Sequence, residues 1–332
     1  MKLRKQTLVL LLASFFSVIN AQKDVTGFLN YGLFNAKVLS GQYLMPYSKM
    51  ISSALITDLE ATARVKHPGG IDLKIGINYS FVPASGFLFN VNDMIASGAL
   101  KDISLASGSV EKAPTVAGKF LQGQGRPVLE YNGNGGSEMP NGSGFSSMMA
   151  PVVALSAGIG ANTEIGMRYM LPFSSEKAGD AKMYGVTLKH SLKRYFPFLR
   201  RTPFLQAAIV GNFSQYKSNI DVSYKGQADQ QLNISAIGYG GGLLVGMDFP
   251  VFGFTGNIGY AVTSNEFSLE GVFSDVPSDG TLQSPELVTF DDGFMNYGVG
   301  MFFRFYRFRI SGNYTYGLYS AVNAALAFEF GY

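Results

Sequence analysis

Eight ionisable residues, Asp72, Lys74, Glu164, Arg168, Lys189, Asp248, Arg309 and Glu329, sit in segments where apolar residues recur at every second position. Charges of both signs on the polar row of apolar strands can do one of two things. They pair with each other to fill a closed interior, or they line a path for a solute. These eight are the residues expected to line a lumen. Nucleophilic chemistry has weaker carriers. His190 and Ser191 are adjacent, which puts their side chains on opposite faces of a strand, whereas a hydrolytic pair must share one face. His190 therefore reads as a polar residue at a membrane-interface strand end, and His67 stands alone before the first strand. With two histidines and no cysteine, a metal site would need carboxylates. The run Asp291-Asp292-Gly293 reads as a solvated turn. No phosphate-cradling loop or zinc-protease helix motif occurs. The sequence gives no ground for an enzyme, a cofactor or a metal.

The elements that position the eight charges are strands with two different faces. In residues 320–332, Val322, Ala324, Leu326, Phe328, Phe330 and Tyr332 form an apolar row, and Ala321, Asn323, Ala325, Ala327, Glu329 and Gly331 a small and polar one. Residues 70–82 repeat the pattern, with Ile71, Leu73, Ile75, Ile77, Tyr79 and Phe81 opposite Asp72, Lys74, Gly76, Asn78 and Ser80. Placing Lys74 toward lipid at the bilayer midplane would cost about 2–4 kcal/mol, so the polar row faces inward. Further alternating segments begin near 150, 163, 184, 205, 237, 252, 294 and 308. One alternating segment is a weak signal, but a series of them is the signature of a transmembrane antiparallel β-barrel. The parity of an up-and-down barrel requires an even number of strands. Ten are traceable, and the Gly- and Asn-rich region after Pro83 leaves room for two or four more, so 10 to 14 are expected. A bore of that size is packed or narrow, not a wide porin.

One segment breaks the alternation. Phe254, Ile258, Tyr260 and Val262 hold even positions, whereas Phe267, Leu269 and Phe273 hold odd ones, with Glu266 and Glu270 between them. A one-residue slip turns every side chain over, so a bulge or a tight turn is expected near Ser264 and Asn265, and the bulge is favoured because it keeps one long strand. The Gly run at 238–242 lies on a strand and reads as backbone crowding.

Composition agrees with this class. The chain has 332 residues, 47% hydrophobic and 15% charged, with no long apolar run after the N-terminus, so a bundle of membrane helices is excluded. A formal charge of +3 does not argue for nucleic acid. The 27 Phe and 18 Tyr supply interfacial girdles in the absence of Trp. Lys2, Arg4 and Lys5 followed by an apolar stretch at 8–18 form an export signal ending at Ala21. Residues 24–59 carry apolar groups three and four apart, interrupted at Gly41 and Pro46, which predicts one or two short helices at the periplasmic mouth or folded into the lumen. A plain N-terminal extension is the alternative. The organisation expected is a signal peptide over 1–21, an N-terminal segment over 22–66 that forms a plug or an extension, and a barrel over 67–332. Residues 84–148 are expected to hold one or two extra strands and a large extracellular loop. Counting back from the last strand places 274–293 outside the cell and 191–203 inside.

The phrases TEIGMRYMLP at 163–172, YGVTLKHSL at 184–192, YLMP at 43–46, Thr62-Ala63 and FVP at 81–83 resemble a Gram-negative outer-membrane β-barrel family known as a domain of unknown function. The resemblance implies an exported barrel with an N-terminal segment near or inside the lumen, and a distant similarity to channels of the long-chain fatty-acid transporter type. It brings no catalytic or ligand residue with it.

The reading expected is an outer-membrane barrel acting as a narrow channel or transporter for small or hydrophobic solutes. A closed structural or binding barrel presenting long loops to a partner is the alternative, and a membrane-embedded enzyme the third. The expected partners are outer-membrane lipid and, through the C-terminal strand, the barrel-assembly machinery. The solute is not written in the sequence, because fold does not choose a function.

Overall fold

The computed structural model describes residues 21–57, 60–121, 123–171, 173–175 and 179–331. Residues 1–20 of the expected leader, together with Leu59, Pro172 and Tyr332, lie outside the described residues. Ten strands form the wall: β1 (Ile71–Phe81), β2 (Ser147–Gly160), β3 (Thr163–Met170), β4 (Gly179–Ser191), β5 (Leu205–Val222), β6 (Gln230–Asp248), β7 (Phe252–Glu270), β8 (Glu286–Phe305), β9 (Phe308–Tyr316) and β10 (Ser320–Phe330). Each pairs antiparallel with the next. The wall closes because β1 pairs with both β2 and β10, so that Ile75 stands opposite Val153 on one side and Leu326 on the other. Closure satisfies every strand edge, which a lipid environment demands.

The alternation fixes what each face meets. On β1, Ile71, Leu73, Ile75, Ile77 and Tyr79 are exposed outward while Asp72, Lys74, Asn78 and Ser80 are buried inside. Aromatic rings gather at both ends of the apolar belt. Phe204, Phe249, Phe252 and Phe254 form one contacting series, and Phe308, Phe328 and Phe330 another, at the end where the connections are short. Tyr79, Tyr169, Tyr184, Tyr297 and Tyr314 stand outward toward the other end. Residues 161–162, 192–204, 249–251 and 306–307 connect strands at the short-turn end. Residues 82–146, 223–229, 271–285 and 317–319 connect them at the loop end. Short turns mark the periplasmic side of such barrels and long loops the outside.

Residues 82–146 add no strand to the wall. Their short strands, such as Leu88–Asn90 with Lys112–Pro114 and Val128–Tyr131 with Asn134–Glu138, pair among themselves over the loop end. The barrel therefore stands at the lower limit of the expected range.

The expected bulge at Ser264 and Asn265 is absent. Strand β7 keeps one unbroken register with β6, from Gln231 opposite Glu270 to Asp248 opposite Gly253. The odd positions face inward throughout, and Phe267 and Leu269 are buried inside the barrel. What changes at this level is the solvent on each side. Below it the outer row is Phe254, Ile258, Tyr260 and Val262 against lipid. Above it the outer row is Ser264, Glu266, Ser268 and Glu270 in water, while the inner row turns apolar. The neighbouring strands change at the same height, with Gln215, Ser235 and Asp291 as outward polar residues. The wall thus continues above the bilayer as a water-soluble cup with a core inside it. Consistent with this, β5 to β8 run 18 to 20 residues, about twice the 9–11 that span a membrane. A register shift does occur between β7 and β8, at Phe267 and Ser268, where β8 accommodates Leu287. Asp291-Asp292-Gly293, expected as a turn, is part of strand β8 and pairs with Ser264, Thr263 and Val262. The outer connection ends at Gln283–Pro285 accordingly.

The core of the cup is an internal helix. A 3-10 helix over Ala21–Tyr31 leads into α1 (Gly32–Ile56), one continuous helix that passes through both Gly41 and Pro46. The expectation is one or two short helices interrupted at Gly41 and Pro46, because Pro disfavours a helix interior; burial against the surrounding wall overrides that preference. Leu39, Tyr43, Leu44, Tyr47, Met50, Ile51 and Leu55 are buried, and Tyr47 packs against Phe145 and Phe267. The helix enters at the loop end, where Leu33 N donates to Asp279 Oδ2 at 2.7 Å and Thr26 Oγ1 to the Ser223 carbonyl at 2.9 Å. It descends the bore, and residues 60–70 continue to the short-turn end before β1 rises. At the crossing into β1, the backbone of Lys66 and His67 lies against Gly158, where a Cβ would collide with both carbonyls.

Candidate functional site in the bore

All eight sequence-predicted charges project into the barrel and are buried. Seven of them join one continuous ionic chain that uses the descending segment as its hub. Glu60 receives Lys74 and also Lys189 Nζ at 2.5 Å. Lys189 reaches Glu164 at 3.2 Å, Glu164 meets Lys66 at 2.6 Å, and Lys66 meets Asp72 at 3.4 Å. Arg309 bridges Asp72, at 2.7 Å, and Glu329. Arg304 then links Glu329 at 3.0 Å to Asp248 at 3.1 Å, and Thr62 Oγ1 donates to Asp248 at 2.9 Å. Buried ions persist only when paired and hydrogen-bonded, and here the pairing ties strand to strand and wall to internal segment. Lys74 and Lys189 together compensate the burial of the Glu60 carboxylate.

Among the described residues, Arg168 joins the internal segment to the wall through neutral acceptors. Its guanidinium donates to the carbonyls of Leu55 and Thr57 and to Ser214 Oγ at 2.7 Å. A cation at a helix C-terminus and the Asp279 carboxylate at the N-terminus both complement the helix dipole. Higher up, Asn265 Nδ2 donates to Ser48 Oγ at 2.8 Å and Ser52 Oγ at 2.7 Å, so the helix is also pinned by neutral contacts.

Glu60, Thr62, Lys66 and Arg304 are members that the alternation did not identify. Glu60, Thr62 and Lys66 lie on an irregular stretch with no periodicity to read. Arg304 lies one residue past the expected end of its strand, and extending the inward parity of β8 by two positions would have found it.

On the opposite side of the bore the wall is neutral. Asn212, Asn257, Asn296 and Asn313 each stand directly opposite a glycine on the neighbouring strand: Gly240, Gly298, Gly259 and Gly300. Each amide lies over its glycine, where a Cβ would press on the Asn oxygen. The ring of amides continues through Asn323, opposite both Asn313 and Asn78. Between this wall and the end of α1 lies a cavity of about 90 Å³, lined also by Thr255, Thr315 and Glu60, with room for several waters. A smaller cleft at the short-turn mouth is lined by Arg64, Lys66, Arg304 and Arg309.

His190 faces outward at the short-turn end, with Nδ1 2.8 Å from Thr163 Oγ1 and Nε2 3.0 Å from Tyr195 OH. Both ring nitrogens are engaged with neutral hydroxyls. Among the described residues no group of three His, Cys, Asp or Glu is arranged to hold a metal.

A closed antiparallel wall with a lipid-facing apolar belt, aromatic girdles and a polar bore defines a transmembrane β-barrel of the outer-membrane type. More particularly, the chain belongs to the family of unknown function DUF6588, whose profile matches residues 1–330. No curated protein matches its sequence. Among solved structures it is similar to OprG of Pseudomonas aeruginosa (12% identity, 81% of this chain and 99% of that one, TM-score 0.33). It is also similar to the attachment invasion locus protein Ail of Yersinia pestis (11%, 80% and 100%, 0.29) and to the toluene transporter TodX of P. putida (8%, 85% and 94%, 0.29).

Proposed function

We propose that this protein is a narrow channel of the Gram-negative outer membrane, restricted by its own residues 22–66, which passes small polar solutes between the internal segment and the Asn/Gly wall. The observation that carries the reading is the asymmetry of the bore. One side is locked to the internal segment by ion pairs, and the other keeps a polar-lined cavity because glycines let the amides lie flat. A lining of amides, hydroxyls and ions disfavours a hydrophobic solute, so of the small or hydrophobic solutes expected from sequence the small ones are kept, narrowed here to polar ones. Lipid is the solvent of the outer rows, and the barrel-assembly machinery is the expected receiver of β10. The boundaries 22–66 and 67–332 then divide restrictor from wall. His190 points outward at the short-turn end, away from the bore.

Planar-bilayer recording and liposome swelling test this with the full-length protein and with a variant lacking residues 22–57, both checked for heat-modifiable migration as folded barrels. Small conductance in the first and a several-fold larger one in the second are expected. Folded barrels that pass neither ions nor solutes in either form would support the second reading, a closed barrel. That reading draws on the packing of Val91, Ile103, Leu129 and Met139 from the outer loop into the same core as α1.

A further inference from the structure

We infer that the asparagine layer is a binding site for a small uncharged polyol, and that the paired glycines set its width. Six asparagines from six strands, Asn78, Asn212, Asn257, Asn296, Asn313 and Asn323, face the bore around the end of α1. An amide offers a donor and an acceptor side by side, which matches the adjacent hydroxyls of a polyol and has no net charge to favour an ion. The charged groups nearby are already used: Glu60 is held between Lys74 and Lys189. Some amide capacity is left over. Asn257 Nδ2 reaches Asn296 Oδ1 at 3.4 Å, and Asn212 Nδ2 reaches the Ile56 carbonyl at 3.2 Å, but Asn212 Oδ1 is buried with no hydrogen-bond partner. A buried unsatisfied acceptor on the wall of a polar cavity is where a ligand hydroxyl gains most.

The glycines supply the second half of the argument. Four of these asparagines oppose four glycines in direct register, on pairs of strands from β5 to β9. At Gly298 an added Cβ would collide with the Asn257 amide, and at Gly300 with the Asn313 amide. The amide would have to swing off the wall into the cavity. Small residues facing a bore only to relieve strand crowding would not need to match asparagines position by position.

The inference rests on the channel reading for its purpose, but the binding test does not depend on flux. Saturation-transfer NMR on the full-length protein in a phosphocholine detergent, with glycerol as probe, is expected to show transfer that Gly298→Ala reduces. Removing two amides in Asn257→Ser/Asn296→Ser is expected to weaken binding about tenfold. Gly256→Ala, on the outward face with only ordinary contacts, leaves it unchanged. No transfer to the wild-type protein, or equal transfer in the folded double-Ser variant, overturns the site. Transfer without liposome swelling keeps the site and removes the channel; swelling without saturable transfer does the reverse.

Discussion

Glu60 Oε2 lies 2.5 Å from Lys189 Nζ, joining a residue of the internal segment to one on β4, 129 positions later in the chain. Its other oxygen receives Lys74 from β1. A single carboxylate thus neutralises two buried ammonium groups on strands that do not touch. The descending segment is therefore part of the barrel's electrostatics, and removing its charge must be felt in the wall.

Replacing Glu60 by Gln leaves Lys74 and Lys189 without their shared anion. Loss of one member of a buried pair costs about 3–5 kcal/mol. A lower urea midpoint for folding into bilayers is expected, and a midpoint equal to wild type would refute the hub role.

Arg168 should govern the lower end of α1. Arg168→Met removes charge-assisted hydrogen bonds to Leu55 and Thr57, each worth about 1.5–3 kcal/mol. Amide exchange at residues 50–57 is expected to accelerate at least tenfold while exchange in β1 and β10 stays slow.

The height at which the faces exchange solvents predicts opposite responses to one substitution. Ile75→Lys, on the lipid belt, is expected to cost about 2–4 kcal/mol. Ser268→Lys, equally outward but above the belt, is expected to cost under about 0.5 kcal/mol. Equal costs at both sites would place the membrane elsewhere.

Orientation is testable because the native chain has no cysteine. Phe34→Cys, at the exposed upper start of α1, is expected to react with a membrane-impermeant maleimide on intact cells. Phe198→Cys, in the short-turn connection, is expected to react only after the outer membrane is breached. The reverse pattern would invert the barrel.

Alternation alone was enough to specify the wall. A strand between lipid and a polar bore must separate its two rows, and Ile71 to Phe81 and Ala321 to Phe330 do so. The eight inward charges followed from the same parity. Parity alone makes β7 look slipped, because its two faces do not keep one solvent each along their length. Above the bilayer the outside becomes water and the inside becomes the surface of α1, so Phe267 inside and Glu266 outside look in sequence like a slipped register. The helix itself was half legible: its apolar spacing showed, but Pro46 and Gly41 suggested a break that burial by the surrounding wall suppresses. Only the tertiary structure decided that Glu60 meets Lys74 and Lys189, and that Asn257 lies across Gly298. Those pairings join residues 14 to 129 positions apart through closure of the cylinder, and no local pattern encodes which positions a closed sheet brings face to face.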